Sequence, residues 1–135
     1  RELLLSVDYS LLGTFLAFFI FIGNVSGIES FQAFLSAALA GREVLVSVLA
    51  SQVISNVPAA LLLSGFTSQW ESLLIGCNLG GLGTLIASMA SLISYKLIAQ
   101  EYPEQKGTYF FWFTVCNVGL LALLLALYFL LEMLF

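Results

Sequence analysis

Residues Ser51–Leu63 read Ser-Gln-Val-Ile-Ser-Asn-Val-Pro-Ala-Ala-Leu-Leu-Leu, and so place a Ser-Asn pair and a proline inside an apolar segment of membrane length. In hydrocarbon an unsatisfied peptide group is expensive, so non-helical backbone survives there only where protein buries it or where water or a ligand reaches it. A second segment repeats the pattern. Gly76-Cys-Asn-Leu-Gly-Gly-Leu-Gly-Thr84 interrupts the apolar run from Leu73 to Ile98. Two broken apolar segments in succession point to a binding site at membrane depth.

Composition supports lipid as the solvent. The chain is 61% hydrophobic and 9% charged, with a mean hydropathy of +1.06, whereas roughly a quarter of the residues in a soluble domain are charged. The apolarity recurs along the whole chain and does not form one N-terminal block, so a signal peptide does not account for it. The first residue is Arg1 and not Met, so the chain is expected to be a piece of a longer protein. A net charge of −4 without a basic stripe argues against nucleic acid as a partner. There is no histidine, which excludes His-based catalysis and His-ligated metal within the chain. Cys77 and Cys116 lie far apart in apolar segments and read as small buried hydrophobes. No nucleophile, base and orienting group can be assembled, so neither an enzyme nor a cofactor is expected.

The expected organisation is a single transmembrane domain over residues 1–135. Tyr9–Ile28 is free of charge between Asp8 and Glu29, a length that matches the roughly 20 residues needed to cross hydrocarbon. Gly23 and Gly27 give it a small-xxx-small spacing suited to close helix packing, with Asn24 and Ser26 as interhelical hydrogen-bonding groups. Ser30–Gly41 reads as an interfacial connecting helix. Val44–Phe66 is long enough for one kinked span or for two short helices meeting at Ser55-Asn56-Val57. Ser55 and Asn56 are natural N-cap residues, and Pro58 suits a first helical turn, so a new helix after a turn is expected; a Pro-kinked single helix is the alternative. Trp70–Ile98 is a broken span, divided into Glu71–Gly76 and Leu85–Lys96. Tyr109–Leu134 closes the chain as an uninterrupted span with an interfacial aromatic cluster, Tyr109–Phe113. Cationic residues divide three against one with either form of Val44–Phe66, Arg42 standing alone in the hairpin form and Arg1 in the single-span form, so the positive-inside rule does not choose between them; both place the Lys96–Lys106 loop in the cytoplasm and the C-terminus outside it.

The chemistry follows from the breaks. Ser55–Val57 and Asn78–Gly83 are expected to face a cavity, where freed carbonyls supply hard oxygen ligands for Na⁺ and exposed N–H groups at helix starts favour an anion. Ser55, Asn56, Asn78 and Thr84 add neutral polar side chains, and the glycines allow close approach of backbone. The glycines alone also fit tight helix packing. Gly80-Gly81-Leu82-Gly83 is not a dinucleotide loop, because no strand precedes it and its spacing is wrong. None of the eight acidic residues lies near the centre of a proposed span, so no intramembrane carboxylate is available for proton transport.

Taken in order, four motifs resemble the C-terminal half of ion transporter superfamily permeases, which include divalent-anion/sodium symporters, citrate transporters, arsenite permeases and a sodium/proton antiporter branch. The motifs are Val7-Asp8-Tyr9-Ser10-Leu11-Leu12, Ser55-Asn56-Val57-Pro58, Ile75-Gly76-Cys77-Asn78-Leu79-Gly80 and Gly83-Thr84-Leu85-Ile86-Ala87-Ser88. The resemblance implies an all-α membrane protein, one inverted-repeat half with a re-entrant helical hairpin at 44–66, a broken transmembrane helix at 70–98 and flanking transmembrane helices. It further implies that Ser55, Asn56 and Val57 form the hairpin tip, that Gly80, Gly81 and Gly83 form the unwound loop, and that Asn78 and Thr84 face substrate or ion. Na⁺ as coupling ion would sit at Ser55, Asn56, Gly80 and Gly83. The dicarboxylate symporters carry Ser-Asn-Thr at the tip, where position 57 here is Val; the lost hydroxyl moves the tip toward the arsenite-permease and antiporter branches. The implied partners are the lipid bilayer, a small ion or anion, the other repeat of the transporter and a second copy in a homodimer, with multi-pass placement in the cell membrane. A structural or assembly subunit whose glycines only pack helices is the alternative from another class.

Overall fold

The computed structural model describes residues 9–134. Val7 and Asp8 of the first motif, and Arg1 of the charge count, lie outside the described residues. All regular structure among the described residues is helical. In chain order the α-helices are α1 (Tyr9–Val25), α2 (Glu29–Leu39), α3 (Glu43–Ile54), α4 (Asn56–Ser64), α5 (Trp70–Gly80), α6 (Met89–Glu101) and α7 (Lys106–Leu134), with single 3₁₀ turns at Leu85–Ala87 and Pro103–Gln105.

One helical stretch, Pro103–Leu134, is long and apolar enough to cross a membrane; Leu12–Val25 and Glu29–Leu39 reach that length together but are bent by 98° between them. The bend comes at Ser26–Ile28, where Gln32 donates its side-chain amide to the Ser26 carbonyl at 2.6 Å. Asn24 bonds back to Ile20 of its own helix at 2.7 Å, and a Cβ on Gly23 would meet open space. The hydrogen bonding expected between helices at these residues is therefore local to α1 and the bend.

A single residue, Ser55, joins α3 to α4. Its N–H donates to the Ser51 carbonyl and closes α3, while its carbonyl accepts from Ala59 N–H and opens α4, each at 3.0 Å. Pro58 falls in the first turn of α4, where a missing N–H leaves no acceptor unsatisfied. The chain reverses there. At the opposite end of the pair, the Thr67 hydroxyl donates to the buried Glu43 carboxylate at 3.3 Å, so the start of α3 and the residues after α4 lie side by side. At 1.5 Å per residue these arms are only about 18 and 14 Å long, shorter than a hydrocarbon core of about 30 Å.

The hairpin packs on α5 through small residues. Ser47 and Ser51 of α3 are fully buried against Gly76 and Gly80 of α5: a Cβ on Gly76 would lie 2.7 Å from Ser47 Cβ and the Val44 carbonyl oxygen, and one on Gly80 would lie 2.7 Å from Ser51 Cβ. Matching i, i+4 pairs of small residues let two backbones approach closely where lipid offers no hydrophobic drive for association. Both serine hydroxyls are satisfied within α3, Ser51 donating to the Ser47 carbonyl at 2.7 Å and Ser47 to the Glu43 carbonyl. Beside this seam, Leu35 and Leu39 of α2, Leu62 and Leu63 of α4, and Leu73 and Cys77 of α5 form the core. Helices α6 and α7 bury no residue; they meet through a 2.7 Å bond between the Ser94 and Tyr109 hydroxyls and through Tyr95 packed edge-on to Phe110.

Candidate functional site

The two irregular stretches of the chain, the Ser55 turn and residues 81–88, meet in space. Unwinding in the second stretch begins at Gly81 and not at Asn78: α5 runs through Gly80, because Gly76 and Gly80 belong to its packing face and the Asn78 amide bonds back to the Leu74 carbonyl at 2.8 Å. Between Gly81 and Ser88 the chain passes through Gly83 at φ 107°, the 3₁₀ turn at Leu85–Ala87 and extended backbone at Ser88, then re-enters helix at Met89.

Gln52, one turn below the tip on α3, holds this stretch. Its Nε2 donates to the Gly80 and Leu82 carbonyls at 2.9 Å each, its Oε1 accepts from the Thr84 N–H at 2.9 Å, and the Thr84 hydroxyl donates to the Gln52 backbone carbonyl at 3.3 Å. Gly83 passes so close that a Cβ there would collide with the Gln52 amide, and its φ lies where L side chains are strained. Ser55 occupies φ 73°, ψ 153°, a region that is sterically costly for any residue but glycine. Its hydroxyl does not cap α4; it points across to the Ala87 carbonyl at 3.5 Å. Asn56 lies against Gly81, whose added Cβ would come within 3.1 Å of Asn56 Nδ2. Its carboxamide makes no hydrogen bond among the described residues.

The structure thus brings Ser55, Asn56, Gly81, Gly83 and Thr84 into one cluster. Gly80 adjoins it, with its Cα against Ser51 and its carbonyl engaged by Gln52. Val57 is exposed, and Asn78 is exposed with its amide turned onto its own helix. Next to the cluster a cavity of about 200 Å³ is lined mainly by apolar groups, among them Phe15 and Phe18 of α1, Ser55 and Pro58 of the hairpin, and Ile86 and Met89 of the break. Residues 44–70 and 72–95 contain no Asp, Glu, Lys or Arg, so the field at the tip comes from helix ends. The C-termini of α3 and α5 contribute negative ends and the N-termini of α4 and α6 positive ones. Among the described residues the Gly81 and Gly83 carbonyls accept no hydrogen bond, and with the Asn56 carboxamide they are the unengaged polar groups of the cluster.

Half-helices meeting end to end beside a reversed hairpin are the arrangement by which transporters build binding sites. Two curated proteins are similar to part of the chain. The chain is 41% identical over 91 residues, 67% of its own length, to an uncharacterized transporter of Methanocaldococcus jannaschii. It is 35% identical over 100 residues, 72% of its length, to the inner membrane protein YbiR of Escherichia coli. The aligned residues cover 26% and 27% of these relatives, so the chain spans about a quarter of their length. No protein-family model matches the chain, and no solved structure matches it.

Gln52 is the residue that sequence reasoning passed over. A lone glutamine in an apolar run carries no motif; its one signal is its place next to Ser51, on the arm that faces the glycine-rich break.

Proposed function

We propose that this chain forms part of a multi-pass membrane protein, one repeat of a secondary transporter of the ion transporter superfamily. Its substrate is a small anion or carboxylate moved with Na⁺ coupling, and the hairpin and broken helix carry the site. The support is the meeting of the α3–α4 tip with the 81–88 break, in a segment without formal charge, in a chain similar to a protein named as a transporter. Asn56 faces the ligand with its amide unengaged, the Gly81 and Gly83 carbonyls supply oxygens for a cation, and Ser55 and Thr84 shape the tip. Gly80 and Asn78 contribute less directly, since their polar groups are already held.

Val57 in place of a hydroxyl residue keeps an arsenite or metalloid permease, or a sodium/proton antiporter, as the alternative substrate class. A packing subunit without transport is favoured by one observation, the seating of Gly76 and Gly80 on Ser47 and Ser51. Uptake into proteoliposomes of the intact protein separates these functions. With a panel of oxyanions and carboxylates in the presence and absence of Na⁺, Asn56→Ala is expected to abolish Na⁺-dependent uptake while protein yield is unchanged. Uptake by the variant equal to that of the parent would remove the site assignment.

A further inference from the structure

We infer that Gln52 couples the unwound segment 81–87 to the hairpin, as the side chain that positions the break against the tip. The inference rests on the transport function only for what the positioned break does; the coupling itself is a property of the described contacts. Gln52 stands on α3, a regular helix seated on α5 by the Ser47/Gly76 and Ser51/Gly80 contacts, so its Cα is fixed by packing. From there one carboxamide engages three points of the break: the Gly80 carbonyl at the last turn of α5, the Leu82 carbonyl inside the irregular stretch and the Thr84 N–H just before the 3₁₀ turn. The polarity is complete: the amide nitrogen meets the two carbonyls of the break at 2.9 Å and, more distantly, the Val48 carbonyl of its own helix at 3.4 Å, and the amide oxygen meets the Thr84 donor, so an amide rotated by 180° would set oxygen against each of these carbonyls. Gly83 leaves no room for the segment to slide past it. Two other links join hairpin and break, the Thr84 hydroxyl on the Gln52 backbone carbonyl at 3.3 Å and the Ser55 hydroxyl on the Ala87 carbonyl at 3.5 Å, both longer than the bonds that the Gln52 carboxamide makes to the break.

The titratable side chains nearest to Gln52 on the elements packed against it are Cys77 of α5, beside Ser47 and Ser51, and Glu43 at the far end of α3. Glu71 lies in the first turn of α5 and Lys96 about two turns into α6, with Glu101 at its far end, and Tyr95 points to the α7 side. Amide hydrogen exchange of the intact protein in detergent is measured for the parent, Gln52→Met and Gln52→Glu, with residues 70–79 of α5 as internal reference. Gln52→Met keeps the volume and removes the three hydrogen bonds to the break, so protection of residues 82–87 is expected to fall by roughly tenfold or more while 70–79 is unchanged. Gln52→Glu as a carboxylate repels the two carbonyls. Protection of 82–87 in Gln52→Glu is expected to fall at least as far as in Gln52→Met.

Unchanged protection of 82–87 in Gln52→Met overturns the coupling. Equal loss over 70–79 also overturns it, because Gln52 would then be a general fold residue, and so does parent-like protection of 82–87 in Gln52→Glu. Binding of ²²Na⁺ to the parent, measured alongside, separates this from the transport function. Absence of binding removes Na⁺ coupling and leaves the exchange result to decide the role of Gln52.

Discussion

Ser55 is the one non-glycine residue at positive φ among the described residues, and it sits where two helices share a single linking residue. A conformation near φ 73°, ψ 153° costs a serine about 1–3 kcal/mol, whereas a glycine there loses only about 0.5–1 kcal/mol to its freer unfolded chain. Ser55→Gly is therefore expected to leave the melting temperature in detergent unchanged or raised, and Ser55→Val to lower it, because a β-branched side chain tolerates positive φ worst. Asn56 beside it behaves differently. Its carboxamide bonds to nothing among the described residues, so Asn56→Ala is expected to change stability by less than about 0.5 kcal/mol while removing ligand binding; a large loss of stability would show that Asn56 holds the tip together. The turn was legible at this scale because Ser-Asn before a proline at helix-start spacing has few other uses. The Ser55 hydroxyl was not: cap chemistry places it on α4, and only the neighbouring break shows that it turns toward Ala87.

At the scale of elements the glycines divide by what they touch. Gly76 meets Val44 backbone and Ser47 Cβ, neither of which can move without shifting a helix, so Gly76→Ala is expected to destabilise the α3–α5 pair by about 1–3 kcal/mol. Gly81 faces the end of the Asn56 side chain, which can swing aside. Gly81→Ala is expected to fold normally and to alter ligand affinity, a split that thermal denaturation and binding on the same sample would measure. A packing subunit would show the opposite ranking, with Gly81→Ala silent in every assay. The sequence made the glycine-rich stretch look like one loop from Asn78 to Gly83, because glycine and asparagine are loop residues by composition. The break begins at Gly81 because the i, i+4 spacing of Gly76 and Gly80 repeats the spacing of Ser47 and Ser51, and two small-residue faces at the same period pack as helices. Pairing those two spacings across the chain was possible from sequence. Pairing Gln52 with Leu82 and Thr84 was not, since a single long-range hydrogen-bonding side chain leaves no periodicity to find.

For the whole molecule, the contacts fix which ends lie at the same level. Arg42, Glu43 and Ser72 share a small cavity with Tyr128 and Glu132, so the base of the hairpin, the start of α5 and the end of α7 lie together. The α6–α7 corner around Pro103–Gln105 is at the other end of α7, about 40 Å away for a helix of this length. Helix α7 is apolar along its length and buries nothing, as lipid contact or the remaining part of a longer protein requires. Membrane insertion then has a definite consequence for labelling. On a background in which Cys77 and Cys116 are serine, an impermeant maleimide applied to intact cells and to inverted membrane vesicles is expected to reach Ser68→Cys and Met133→Cys in the same one of the two preparations and Gln105→Cys in the other. The Thr67–Glu43 contact puts Arg42→Cys on the same face as Ser68→Cys. A single kinked span over Val44–Phe66 would place those two positions on opposite faces, so labelling of Arg42→Cys and Ser68→Cys from different sides would refute the re-entrant hairpin and leave the tip cluster without its membrane setting.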